Sequence, residues 1–304
     1  MGILCKGGRR LVFFFLLPTF LAGGVGAWGQ GSATLPKPSP TPTPIASRKP
    51  SLEKHFFINI LKDQYGIWTS PLHFRRNDLK WIAPIGLGSA AFIASDRTTA
   101  GALNNNATTL RISRDVSQIG EGYSVGGAAI SIYLIGRTTH NARARETGLL
   151  ALEAFIDSSI VTEVFKGVTQ RPRPTQGDGK GEFFTDGSSF ISGHSSSIWS
   201  LAAVINDEYG KRHPLVQVGM FGIATAVSVS RFTGRNHFLS DILLGSAIGY
   251  GVGHFVYRRH HDPSLDQEGI PAKPITKLEK YFPRIEPAFN GRKRIYGAQV
   301  AWNF

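Results

Sequence analysis

Between residues 81 and 258 the chain is built from apolar stretches rich in glycine and alanine, and no strand-like alternation interrupts them. Residues 81–95 and 119–136 are two such runs. Residues 147–166 place Leu149, Leu150, Leu152, Phe155, Ile156, Ile160, Val161 and Val164 at helical spacing. Three more segments follow: from His194 to about Glu208, residues 215–230, and a last one ending at Arg258. Small residues let helix axes approach closely, as the run Gly245, Gly249, Gly251 and Gly253 invites. The pattern predicts an all-α fold, a helical bundle of about six core helices. Residues 56–67, with Phe56, Ile60, Leu61 and Tyr65, predict an amphipathic first helix that lies either on a membrane surface or against the bundle.

Polar residues gather where these segments end. Lys166, Arg171 and Arg173 put three cations in eight residues, and Pro172 and Pro174 stop the helix there. Ser192-Gly193-His194 opens the next helix after a turn. Ser230-Arg231 is followed by His237 and Asp241, four apart, which share a face if both are helical. A carboxylate beside an imidazole fixes its tautomer, and guanidinium forks match phosphate oxygens. Residues 175–189 are glycine-rich and polar around Phe183 and Phe184, and read either as a mobile loop over this site or as a plain connector.

These stretches resemble the type 2 phosphatidic acid phosphatase and vanadium haloperoxidase superfamily. Lys166, six residues and Arg173-Pro174 match its first motif, Ser192-Gly193-His194 its second, and Ser230-Arg231, five residues, His237, three residues and Asp241 its third. Ile191 stands where the family usually has Pro, a position that shapes the turn and carries no chemistry. The resemblance covers roughly residues 52–259 and implies an active site at one end of the bundle. It implies His237 as nucleophile, Asp241 orienting its other ring nitrogen, and His194 as acid and then base. Lys166, Arg173, Ser192, Gly193 and Arg231 would hold the phosphate. Arg171 and Arg235 lie off the family pattern and read either as help in binding the substrate or, in preference, as solvated surface charges.

The resulting expectation is a metal-independent phosphoric ester hydrolase acting outside the cytoplasm. Its substrate would be a monoester or pyrophosphate, with a lipid phosphate such as phosphatidate or an isoprenyl pyrophosphate preferred. A soluble acid phosphatase and a vanadate-dependent haloperoxidase are the alternatives, and a non-enzymatic phosphate-binding module ranks last. No cofactor is expected, vanadate excepted under the haloperoxidase reading. Cations dominate the motifs, and the sequence offers neither a carboxylate cluster nor paired-His spacing for a metal.

Residues 1–29 read as a secretory signal, with Lys6, Arg9 and Arg10 before an apolar run, or as an uncleaved anchor. The only cysteine, Cys5, precedes that run, where lipidation would not place it. Residues 30–50 form a Pro-rich linker, residues 51–260 the helical domain, and residues 261–304 a tail with a single strand at 292–304. The net charge of +13 suits an anionic partner. A phosphate ester and a membrane surface fit it better than nucleic acid, for which no recognised module is present. An exported, periplasmic or otherwise extracytoplasmic location follows from the signal.

Overall fold

The computed structural model describes residues 52–73, 75–103, 106–267, 284–290 and 295–301. The signal and linker readings lie outside these residues. The helices are α1 (Leu52–Thr69), α2 (Leu79–Gly101), α3 (Ala107–Ser117), α4 (Gly122–Thr138), α5 (Ala142–Thr169), α6 (Gly193–Ile205), α7 (Pro214–Thr233), α8 (Leu239–His260) and the short α9 (Ser264–Gln267). The fold is all-α through the domain, and α2 and α4 to α8 make up the core bundle. A hairpin of β1 (Arg284–Asn290) and β2 (Ile295–Ala301) follows in the tail.

Sequence and structure differ at three elements. The tail holds two antiparallel strands where the sequence indicated one. Pro287 interrupts the strand pattern of β1, and Pro is confined to edge strands because it cannot donate to a ladder. Helix α3 is short and mostly polar, so it forms none of the apolar runs that divide the sequence. It is started by Asn106, whose side chain accepts from the Thr108 and Thr109 amides at 2.9 and 3.3 Å. Helix α1 carries apolar residues on two sides: Leu52, Ile60 and Ile67, with Asn59 and Asp63, face the bundle, while Phe57, Leu61 and Tyr65 are exposed.

The core is a cluster of small side chains. Val125 and Ala129 of α4, Leu150, Ala151 and Ala154 of α5, Ile198, Leu201, Ala202 and Val204 of α6, Ala224 and Val227 of α7, and Val252 and Val256 of α8 meet there. Helices α6 and α8 form its tightest seam. Gly245, Gly249 and Gly253, one per turn of α8, face Ser192, Ser196 and Ser200, one per turn of α6. A Cβ on Gly249 would sit 2.1 Å from the Ser196 carbonyl oxygen, so only glycine permits this approach. Gly251 points into open space and does not belong to the seam.

The seam sets the spacing of the two helix starts that carry His194 and Asp241. Gly249→Ala forces α6 and α8 apart and should cost about 1–3 kcal/mol of stability. Gly251→Ala should be neutral or stabilising by up to about 1 kcal/mol, because alanine is the better helix former. Thermal unfolding of the two variants side by side checks the contrast.

Candidate active site

Helix α5 ends at Thr169 because Gln170 adopts a left-handed conformation (φ 44°) and two prolines follow. The next residue that matters is Arg171, 2% exposed, and it is not the surface charge that the sequence suggested. One of its terminal nitrogens donates to Asp241 Oδ1 and to Ser240 Oγ, both at 2.8 Å. The other donates to Asp96 Oδ2 at 2.9 Å, and Nε donates to the Gly181 carbonyl at 2.9 Å. The guanidinium lies between the rings of Phe238 and Phe183, 4.1 and 4.7 Å from their centroids. Asp96 completes the assembly by accepting from the Ser240 amide at 3.2 Å and from the Ser240 hydroxyl. A carboxylate that looked out of place in apolar α2 is thus one partner of a buried ion pair.

His237 precedes α8, which begins at Leu239, so it does not share a helix face with Asp241. The Asp241 carboxylate accepts from the Phe238 amide at 3.0 Å, which starts the helix after Phe238. His237 is fixed mainly by a different group: its Nδ1 lies 2.8 Å from the Ser189 carbonyl oxygen and 3.5 Å from Asp241 Oδ2. A carbonyl can only accept, so Nδ1 carries the proton and Nε2 is the nitrogen with a free lone pair. Asp241 acts one step further out, holding Ser189 through its hydroxyl at 2.5 Å.

The loop of residues 170–192 is laced to the end of α5 rather than hanging free. The Phe184, Thr185, Gly187 and Ser189 amides donate to the carbonyls of Thr169, Gln170, Gln170 and Arg171 at 2.7–3.1 Å. Phe183 packs under Arg171 and against Phe190, whereas Phe184 is 72% exposed. A Cβ on Gly187 would collide with the Arg171 backbone at 2.3 Å, which is why the loop can close so tightly.

Beside this assembly opens a cleft of about 1180 Å³. Arg97, Arg114, Arg173, Arg231 and Arg235 line it, with His194, Glu121 and Asp178, and with Leu110 and Tyr123 on its apolar side. Of the residues expected from the motifs, Arg173, His194 and Arg231 reach the cleft wall. The Nε groups of Arg173 and Arg231 are buried there without a hydrogen-bond partner. His237, Asp241 and Ser192 are buried behind that wall. The Ser192 hydroxyl caps α6, accepting from the Ser195 amide and hydroxyl at 3.5 and 3.1 Å. The Lys166 ammonium lies near Gly193, 3.5 Å from where a Cβ would stand, and pairs with Glu163 at 2.7 Å.

Sequence reasoning missed Arg97, Arg114 and Glu121. The Glu121 carboxylate lies 2.8 Å from His194 Nε2, yet in the sequence it stands inside an unremarkable Gly-Glu-Gly. Arginines on α2 and α3 leave no local pattern, because only the packing of those helices brings them to the cleft.

Burial holds the His237 imidazole below its ordinary range, and Arg231 and Arg173 add to this while Asp241 opposes it. Burial, and after it the Arg231 cation, pulls His194 down to about 4 against the opposing pull of Glu121. The His194 ring is therefore neutral near pH 6 when no anion lies against it. A dianion against Arg231 would offset that repulsion and raise the proton affinity of His194.

Residues 147–264, which contain all three motifs, match the PAP2 superfamily. The resemblance read from the motifs therefore holds over the stretch that carries them. A lipid A 1-phosphatase of Porphyromonas gingivalis is 34% identical over 73 residues, 24% of this chain and 16% of that protein. A PA-phosphatase related-family protein of Dictyostelium discoideum is 31% identical over 156 residues, 46% of this chain and 57% of that protein. The chain thus spans little more than half of the one curated relative and a sixth of the other. Two solved structures are similar at 18% identity and a TM-score of 0.42. Aquifex aeolicus LpxE covers 54% of this chain and 92% of its own, and the phosphatidylglycerolphosphate phosphatase of Bacillus subtilis covers 72% and 98%.

Two outcomes are expected from this geometry. Arg171→Met leaves Asp96 and Asp241 buried without their cation and should cost about 3–5 kcal/mol in thermal unfolding, with Arg171→Lys intermediate. Sulfate, a tetrahedral dianion that does not titrate near neutrality, should bind with net proton uptake at pH 5–6. The uptake should disappear in His194→Gln. Calorimetry in buffers of different ionisation enthalpy measures it.

Proposed function

We propose that the chain is a phosphoric ester hydrolase that acts at a membrane on a lipid phosphate, through a phosphohistidine on His237. One observation carries the reading. An imidazole whose Nδ1 proton is held by the Ser189 carbonyl sits behind a cleft where Arg173 and Arg231 keep buried donors without partners. Unpartnered buried donors are costly, and phosphate oxygens would satisfy them. The PAP2 match over the same residues supports the reaction class.

The steps follow from these positions. The phosphate oxygens lie against Arg173, Arg231 and Lys166, which neutralise the charge spreading over them in the transition state. His237 Nε2 attacks phosphorus as the bond to the ester oxygen breaks, and Nδ1 keeps its proton on Ser189. His194, protonated when the dianion binds, gives that proton to the leaving oxygen. It then takes a proton from water, which attacks the phosphoimidazole and releases inorganic phosphate and neutral His237. Gly193 at the start of α6 and the cap residue Ser192 keep this helix start close to the anion. None of these steps calls on a metal, because the arginines supply the charge.

Exposed apolar faces favour a lipid substrate over a soluble one. Helices α7 and α8 are long and apolar enough to cross a membrane by length and composition. On α7, Leu215 and Val218 are 86% and 69% exposed, and on α4 Ile130, Leu134 and Ile135 are also exposed. Phe57, Leu61 and Tyr65 of α1 add to this surface. Leu110 and Tyr123 in the cleft lining offer apolar contact for the first carbons of a lipid. The two curated relatives named for lipid phosphates point the same way. Export across the membrane, read from residues 1–29, would place the site outside the cytoplasm.

Phosphate release from phosphatidate in mixed micelles and from an aryl phosphate, with chelator present, tests the proposal. Release should survive the chelator, favour the lipid and vanish in His237→Ala, while His194→Ala should slow it roughly 10²–10⁴-fold. Acid-labile label on the protein from a labelled substrate, absent in His237→Ala, should report the intermediate. A preference for the aryl phosphate would overturn the lipid assignment, and release unaffected by His237→Ala would overturn the mechanism.

A further inference from the structure

Well away from the cleft, three carboxylates meet in the interior. Asp63 of α1, Glu153 and Asp157 of α5 are each buried to 1% exposure or less, and His260 of α8 closes the group. Glu153 lies thirteen residues before Lys166 on one helix, roughly 20 Å along its axis. His260 Nε2 is 2.8 Å from Asp63 Oδ2 and 3.3 Å from Glu153 Oε1, and a donor atom from each of these three residues lies within 4.8 Å of the others. Gln64 donates to Asp157 Oδ1 at 2.8 Å.

The protein's own groups do not satisfy this cluster. Asp63 Oδ1, Glu153 Oε1 and Asp157 Oδ2 are buried with no hydrogen-bond partner. One Nε2 proton cannot serve both Asp63 and Glu153. The remaining cation, Arg259, reaches Asp63 Oδ1 at 3.3 Å from a side chain that is 40% exposed. Among the described residues, three buried carboxylates therefore face one guanidinium, one imidazole and the neutral amides of Asn59, which bonds Glu153, and Gln64, and buried charge without full compensation is unfavourable. A neighbouring group makes the contrast. Glu146, Glu208 and His261 are similarly close, and the Glu208 oxygens are also buried without a hydrogen-bond partner, but there two carboxylates rather than three meet a largely buried guanidinium, Arg143, at 2.8 Å, and His261 Nδ1 lies 2.6 Å from Glu146.

We infer that Asp63, Glu153 and His260, with Asp157 beside them, form a structural site for a divalent cation. Oxygen and imidazole donors without thiolate suit Zn²⁺ or Mn²⁺. Ligands about 2.0–2.1 Å from a tetrahedral Zn²⁺ stand roughly 3.3 Å from each other, which is the separation of His260 Nε2 from Glu153 Oε1, while the 2.8 Å hydrogen bond from His260 to Asp63 would open by about half an ångström to admit the ion. The ion would tie α1 and the end of α8 to the middle of α5. No pattern in the sequence announced the site, because its ligands come from three helices and only Glu153 and Asp157 are near in sequence. It is separate from the phosphate cleft and independent of the phosphatase reading.

The test uses the full chain, stripped with chelator and dialysed, then titrated with Zn²⁺ and with Mn²⁺ while uptake and melting temperature are followed. One equivalent of either ion should bind saturably and raise the melting temperature. Glu153→Gln should weaken binding roughly tenfold or more. Asp63→Asn gives a second variant with the same expected loss, and His261→Ala should leave uptake unchanged. Absence of saturable uptake by the parent would overturn the inference and leave shared protons to neutralise the cluster. Uptake that survives both carboxylate variants, or is lost with His261→Ala, would overturn it too.

Discussion

The buried guanidinium of Arg171 joins the parts that make the site. It holds α2 through Asp96, the start of α8 through Ser240 and Asp241, and the 170–192 loop through the Gly181 carbonyl. Planar, always charged and stacked between two phenyl rings, it meets four acceptors that a lysine could not serve together. Everything that fixes His237 depends on it. Asp241 is held by Arg171, Ser189 is held by Asp241, and the Ser189 carbonyl sets the imidazole tautomer.

A second constraint acts at right angles to the first. The seam of α8 glycines against α6 serines brings two backbones to a separation that no side chain would allow. Because α6 begins at Gly193 and α8 at Leu239, this distance sets how far His194 stands from His237. The Ser192 amide donates to the Asp241 carbonyl at 3.0 Å and pins the same two starts together. Packing and site geometry are therefore one problem: loosening the seam would displace His194 from His237.

Charge is distributed unevenly through the bundle. Five arginines surround the cleft, facing Glu121 and Asp178, while the interior between α1, α5 and α8 collects Asp63, Glu153 and Asp157. In the cleft the Nε atoms of Arg173 and Arg231 are buried without a hydrogen-bond partner, and in the interior cluster so are Asp63 Oδ1, Glu153 Oε1 and Asp157 Oδ2. The same reasoning about buried polar atoms thus points to ligands of opposite sign in two places.

The long apolar segments, α2 and α4 to α8, were legible in the sequence, as were the three motifs at their ends. Apolar runs and the spacing of Lys166, Arg173, His194, Arg231, His237 and Asp241 are local properties of the chain. Helix α3, the partner strand around Pro287 and the true start of α8 were less legible, since a cap, a proline and a carboxylate on Phe238 decide them. Other features belonged to the tertiary structure alone: Arg171 as the central ion pair, Glu121 beside His194, Arg97 and Arg114 in the cleft, and the carboxylates of α1 and α5 meeting His260. The reason is physical. Burial and pairing depend on which helix faces meet, and residues as far apart as Asp96 and Arg171, or Asp63 and His260, carry no mark in sequence of the partner that folding brings to them.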